Sequence, residues 1–296
     1  MTTTRTPEEE VRLGRRKILY TRLWWLAFHG FDYVWLVYSG TWAAYFRHGG
    51  DMDVAGSTAF ATLGLLNLLL YVRLQCSSPG FVPEAPADAP DSFDTDILLL
   101  ERGLDQTTLD AASGMELHYC RRCRVHQPLR AKHCTDCGRC IEQYDHHCVC
   151  AGVCVGRDNH RIFVGYVMVQ LLEGLAAMDM AITGFSMQDS IEAWIATNLP
   201  YIVIYISSLF TVLMALPLSC YHVYLVLSNQ TSWEHARRSH ITYLRDLPTD
   251  ASPFSRGCLR NCWEFVTGGV RNTWTGPTAR ELAEDDSDDD KAGHIA

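Results

Sequence analysis

The chain has 296 residues, 48% of them hydrophobic, and a formal net charge of −9. Length alone would suit one or two soluble domains, but uncharged apolar runs as long as a bilayer is thick exclude a purely soluble protein. The negative balance is local, since Glu281, Glu284, Asp285, Asp286, Asp288, Asp289 and Asp290 form one block that reads as part of a disordered, solvated acidic tail over residues 269–296.

Residues 1–22 are polar and carry Arg5, Arg12, Arg15, Arg16, Lys17 and Arg22. Such a start, followed by an apolar run too long for an h-region, points to an uncleaved signal anchor. Residues 23–46 are apolar and aromatic apart from His29 and Asp32, with LWW near one end and TWAAYF at the other, as interfacial aromatic belts favour. Residues 54–72 carry no charge, so 23–76 is expected to hold two transmembrane helices.

Residues 162–185 are apolar except for Glu173 and Asp179, which in a membrane must face a helix bundle or a watery cavity. The alternative there is a buried soluble helix. Residues 199–227 form the longest uncharged run, and 162–227 is expected to hold a third and fourth span. Four spans put both termini on one side. The arginine-rich start, set against a lone Arg47 after the first span, makes that side the cytosol, together with the loop 77–161 and the segment 228–268.

Eight of the twelve cysteines lie between Cys120 and Cys154. In a cytosolic loop thiols stay reduced, so this density argues for metal rather than disulfides. Cys120 and Cys123, then His133, Cys134, Cys137 and Cys140, then Asp145, His146, His147, Cys148, Cys150 and Cys154 give C-x-x-C pairs followed by spaced His and Cys, the pattern of tetrahedral zinc. Two closed sites need eight ligands, and with His118, His126 and His160 also present, ligands are in surplus. A surplus thiol beside histidine and aspartate suits nucleophilic catalysis, in which a base takes the thiol proton and a carboxylate orients the base. Spacing alone does not say which sulfur is surplus. Arg121, Arg122, Arg124, Arg130, Lys132 and Arg139 crowd the same loop; tethering at both ends to a membrane argues against nucleic acid and for anionic lipid or a phosphorylated cofactor.

The stretch YCRRCRVHQPLRAKHCTDCGRCIEQYDHHC, followed by CVGRDNHRIF, resembles the cysteine-rich domain of the DHHC-type protein S-acyltransferases, or palmitoyltransferases. SSPGFVP at 77–83 resembles the family's Asp-Pro-Gly stretch, with Ser78 at the acidic position. QTSWE at 230–234 resembles its Thr-Thr-x-Glu motif, with Ser232 as the second hydroxyl, and 252–266 resembles its C-terminal segment, with Asn261 at the asparagine. The closest likeness is to short, four-span endomembrane members.

The resemblance implies an α-helical integral membrane protein of four transmembrane helices, with a cytosolic zinc-bound cysteine-rich domain (core 118–163) between the second and third. It implies one structural zinc ion on Cys120, Cys123, His133 and Cys140 and another on Cys134, Cys137, His147 and Cys154. Cys148 becomes the nucleophile, His146 its base and Asp145 the group that orients His146. The implied reaction is ping-pong transfer of a long-chain acyl group, typically palmitoyl, from acyl-CoA to cysteines of membrane-associated proteins on Golgi or endoplasmic reticulum membranes. Arg130, Lys132 and Arg139 are candidate CoA contacts, solvated or lipid-facing roles being the alternative. Ser232 is expected either to hydrogen-bond the catalytic carboxylate or to cap a helix, while Glu234 and Asn261 brace the cytosolic segments.

Val149 and Cys150 stand where many members have Pro-Trp, and Gly152 and Val153 where they have an asparagine pair. These departures keep a catalytically weak zinc-bound adaptor in view, and Cys148 with Cys150 keeps a thiol oxidoreductase in view, although C-x-C in a zinc-rich loop is not the usual redox spacing. Cys76, Cys258 and Cys262 are placed where S-acylation of the enzyme itself is plausible, which would make it a lipoprotein.

Overall fold

A computed structural model describes residues 7–48, 50–83, 119–245, 247 and 252–275. The acidic block, Arg5 and His118 lie outside these. The described residues fall into two compact units that alternate along the chain: those up to Ser77, Cys148–Val153 and Ile162–Tyr221 make the first, and those between Ser78 and His147, Cys154–Arg161 and from His222 onward make the second.

The first unit is helical. Helix α1 (Pro7–Tyr38) ends at Ser39–Gly40, where Gly40 takes a left-handed φ of 76° that glycine adopts without strain; the short α2 (Thr41–Tyr45) follows. Strands β1 (Arg47–His48) and β2 (Asp51–Met52) pair as a small hairpin. Helix α3 (Val54–Gln75) starts at Asp53, whose carboxylate accepts the Gly56 N–H at 3.0 Å, an N-cap that satisfies one of the helix's orphan donors. Helix α4 (His160–Gly184) and the long α5 (Ile191–Ser228) complete the set, α5 running through Pro200 and Pro217. Leu36, Phe46, Phe60, Met180, Ala181 and Ile204 form an apolar cluster within it.

Helices α3, α4 and α5 are long and apolar enough to cross a membrane. Past Arg22 the rest of α1, in which Asp32 is the one acidic or basic residue apart from His29, is about 24 Å long at ~1.5 Å per residue, short of the ~30 Å of a bilayer core. The break at Gly40 therefore divides the run expected at 23–46. Glu173 of α4 is buried and accepts hydrogen bonds from Tyr33 of α1 and Asn67 of α3. Gln170 accepts from Asn67 at 3.0 Å and meets His29 at 2.9 Å, while Asp32 accepts from Ser207 at 2.6 Å. A cavity of about 40 Å³, large enough for one water, lies against this network.

The second unit has almost no long elements. Three two-stranded sheets build its cysteine-rich part: β3 (Tyr119–Cys120) with β4 (Val125–His126), β5 (Lys132–Cys134) with β6 (Arg139–Ile141), and β7 (His146–Cys148) with β8 (Val153–Val155). Residues 80–82 run beside β6, with Val82 N–H donating to Cys140 O and Glu142 N–H to Gly80 O. At Gly156 a Cβ would come within 2.5 Å of Pro79 O and 2.6 Å of Ile141 Cγ2, so only glycine lets these segments close. Helix α6 (Ser232–Arg237), a 3₁₀ turn (Arg238–His240) and helix α7 (Cys258–Thr267) follow α5.

Candidate active site

The three hairpins repeat one turn. Arg124 N–H donates to Cys120 O at 2.7 Å, Gly138 N–H to Cys134 O at 2.9 Å and Gly152 N–H to Cys148 O at 2.8 Å, and Arg124, Gly138 and Gly152 all have left-handed φ of 55–67°. Each turn raises the side chains at its first and fourth positions: Cys120 and Cys123, Cys134 and Cys137, and then Cys148 with Ala151. The next hairpin along supplies the other two ligands. His133 of β5 and Cys140 of β6 close on the first pair, and His147 of β7 and Cys154 of β8 close on the second.

In each group one ligand atom per residue lies within 4.8 Å of all the others. His133 Nδ1 is 3.5, 3.3 and 3.8 Å from the sulfurs of Cys120, Cys123 and Cys140, and His147 Nδ1 is 3.7, 3.5 and 3.3 Å from those of Cys134, Cys137 and Cys154. Ligands about 2.3 Å (S) and 2.0 Å (N) from a tetrahedral ion stand roughly 3.5–3.8 Å apart, so both groups have the donors and the spacing for zinc. None of these cysteines is in a disulfide. Gln127 donates to Cys140 Sγ at 3.2 Å, the kind of outer contact that orients a ligand. His126 instead packs on Tyr119.

Cys148 and Cys150 belong to neither group. Cys148 ends β7, two residues after His146, and residues two apart in a strand face the same side. Asp145, 1% exposed, accepts His146 Nδ1–H at 2.7 Å. That bond fixes the tautomer and leaves the neutral ring's basic lone pair on Nε2. Ser232 grips the same carboxylate twice, N–H to Oδ1 at 2.7 Å and Oγ–H to Oδ2 at 2.8 Å. The helix-capping role belongs to its neighbour Thr231, which forms a capping box with Glu234.

Burial would raise the Asp145 carboxyl, but the imidazoles of His160 and His146 outweigh it and hold the group well below the usual carboxylate range. His160 Nε2 stands 3.8 Å from Asp145 Oδ1 and 3.4 Å from His222 Nδ1, and all three side chains are buried. His222 lies in the C-terminal turns of α5, inside a run read only for its hydropathy, and no local motif marks it.

The three expected cofactor cations have different surroundings. Arg130, 3% exposed, forms a two-bond ion pair with Glu234 at 2.7 Å and also donates to Asn229 and to Arg271 O, so its guanidinium faces inward rather than toward a soluble cofactor. Lys132 Nζ sits 3.2 Å from the centre of the Trp233 ring, and Arg139 lies over Phe81. Asn261, fully buried, donates to Leu227 O and Ser255 Oγ and accepts from Arg256 N–H.

A family model for the DHHC palmitoyltransferases matches residues 113–239. The human and mouse proteins named palmitoyltransferase ZDHHC12 are 35% and 34% identical over 229 residues, which is 77% of this chain and 80% of theirs. The chain belongs to the DHHC palmitoyltransferase family. Protein S-acyltransferase 10 of Arabidopsis thaliana is 36% identical over 56% of this chain and 47% of its own length. A putative ZDHHC-type palmitoyltransferase of Dictyostelium discoideum is 38% identical, but the chain spans only 35% of that relative's length.

Proposed function

We propose that this protein S-acyltransferase works through a covalent acyl-Cys148 intermediate, with His146 as base and Asp145 as its orienting carboxylate. The observation that carries the reading is the Ser232–Asp145–His146 chain of hydrogen bonds, which ends two residues before a cysteine outside both Cys/His groups. In the first half-reaction the Cys148 sulfur forms a bond to the acyl carbonyl carbon, the thioester bond to CoA breaks, and the proton taken by His146 Nε2 goes to the CoA thiolate. In the second half a substrate cysteine attacks acyl-Cys148 and the same groups return the proton. One thioester replaces another, so positioning supplies most of what the chain must contribute.

Zinc on Cys120, Cys123, His133 and Cys140 and on Cys134, Cys137, His147 and Cys154 would be structural, tying together hairpins that share little apolar core. Lys132 and Arg139 remain the proposed CoA contacts, whereas the inward ion pair of Arg130 supports a bracing role. The loop Cys148–Val153 belongs to the helical unit: Tyr71 O–H of α3 reaches Cys150 O at 3.4 Å, Trp25 of α1 stacks on Tyr71, and Ile18 closes on Gly152. This supports an acyl chain lying among the helices, with those aromatic rings where the family's tryptophan is absent. The proposal includes a first span built from α1 and α2, which makes four in all, the six segments bounded at 22, 76, 161, 227 and 268, cytosolic termini and zinc domain, and residence in Golgi or endoplasmic reticulum membranes. Its partners are membrane-associated proteins with accessible cysteines.

The test is to incubate the purified chain with a tagged palmitoyl-CoA. Hydroxylamine-sensitive label in the wild type and none in Cys148→Ser is expected. Full labelling in Cys148→Ser would refute the assignment, and no labelling in the wild type would favour the adaptor.

A further inference from the structure

Wholly within the second unit, a pocket of about 370 Å³ opens between the first turn of α4 and the chain that follows α7. Arg271 lines it, 9% exposed, and its Nε and Nη2 have no hydrogen-bond acceptor. Its backbone is pinned, because Arg271 O accepts from Arg130 Nη1 at 2.9 Å and from Asn229 Nδ2 at 3.1 Å, and its guanidinium lies over Phe265. A buried guanidinium edge without an acceptor is costly unless a ligand supplies one. Burial and the neighbouring Arg130 push its pKa down to about 9, which an anion would reverse.

The other charges decide the sign of that ligand. Arg157 is answered by Glu142 and Asp158, and Glu264 by Arg256 and Arg260. What remains uncompensated is Arg271 together with Arg161, whose guanidinium packs against Gly268 and donates to Val266 O. We propose that this pocket binds a phosphate group, held on the Nε–Nη2 edge of Arg271 and by Arg161 at its rim. That edge offers two parallel N–H groups, which match two oxygens of one phosphate. A third oxygen meets Arg161. The buried Glu264 Oε2, which also has no donor, accepts from a protonated phosphate oxygen, a contact that a carboxylate ligand could not give at neutral pH.

Apart from the acyl-CoA donor, whose proposed contacts are Lys132 and Arg139, two sources share this chemistry: a phosphate-ended membrane lipid and a free phosphate. The pocket adjoins the first turn of a membrane-length helix, and α7 exposes Leu259, Trp263 and Val266 on its outer side, which favours the lipid.

The test uses the full chain in phosphatidylcholine nanodiscs, with phosphatidic acid added in one arm and inorganic phosphate, at matched ionic strength, in the other. Saturable binding read from phosphorus NMR line broadening is expected in at least one arm. The lipid arm alone identifies a headgroup site, and a response to inorganic phosphate identifies a site for free phosphate. Arg271→Gln should weaken it about tenfold or more, since charge-assisted hydrogen bonds are lost. If Arg271→Gln fails to fold, the exposed Arg161→Gln carries the comparison and should weaken binding several-fold. No saturable binding in either arm, or binding unchanged in the folded variants, would overturn the proposal. The readout is binding, so it stands or falls separately from acyl transfer.

Discussion

At the scale of single residues, Asp145 is where the second unit's interactions converge. It is ionised in a buried position because Ser232 and His146 give it three side-chain or backbone hydrogen bonds. Ser232→Ala removes one charge-assisted bond, of order 1.5–3 kcal/mol, and should slow acyl-enzyme formation about tenfold or more while leaving zinc content unchanged. Rapid-quench labelling of wild type and variant checks this; an unchanged rate would mean that Ser232 does not orient the carboxylate. Arg130 is a second such point. Arg130→Ala strands Glu234 with a charge 2% exposed, so a loss of roughly 3–5 kcal/mol is expected, visible as a lower melting temperature. Melting at the wild-type temperature would deny that the pair braces the fold.

Among the elements, the hairpins carry the account. Each four-residue Cys/His group is drawn from two successive hairpins, so if these groups hold zinc as proposed, His133→Ala and His147→Ala should each lower zinc content and loosen both flanking hairpins, structural zinc being worth about 10 kcal/mol in small fingers. Metal analysis finding two zinc ions in either variant would contradict the ligand sets. The C-x-x-C pairs made these ligands legible in the sequence, and the resemblance divided them. The reason Cys148 differs is legible only with the backbone: it occupies the first position of the same turn as Cys120 and Cys134, but the fourth position is Ala151, and among the described residues no further hairpin follows to add a histidine and a cysteine. His222 and Arg271 were invisible for a different reason. Their partners are Asp145 and His160 in one case and the pocket beyond α7 in the other, and neither pairing leaves a periodic or local trace.

For the whole molecule, hydropathy located α3, α4 and α5 well, because about 20 consecutive apolar residues have few other uses. It did not show that α1 begins in the charged segment and stops at Gly40, since the helix continues through residues of opposite hydropathy. Four spans with cytosolic ends predict that tags at both termini are reached by antibody after selective permeabilisation of the plasma membrane; protection of either one would leave three spans or an inverted orientation. The departures at Val149 and Cys150 bear on the same scale, as they lie on the loop that packs with the helices. Cys150→Trp should change the relative use of acyl-CoAs of different length in a competition assay, and an identical profile would mean that the side chain at 150 does not meet the acyl chain.

The most direct measurement is peptide mass spectrometry on the purified wild-type chain after brief incubation with palmitoyl-CoA and quenching at low pH. A palmitoyl mass, removable by hydroxylamine, is expected on Cys148 and should persist there in Cys150→Ala. A palmitoyl group found on Cys150 with none on Cys148, or its loss from Cys148 in Cys150→Ala, would contradict the assignment of the nucleophile.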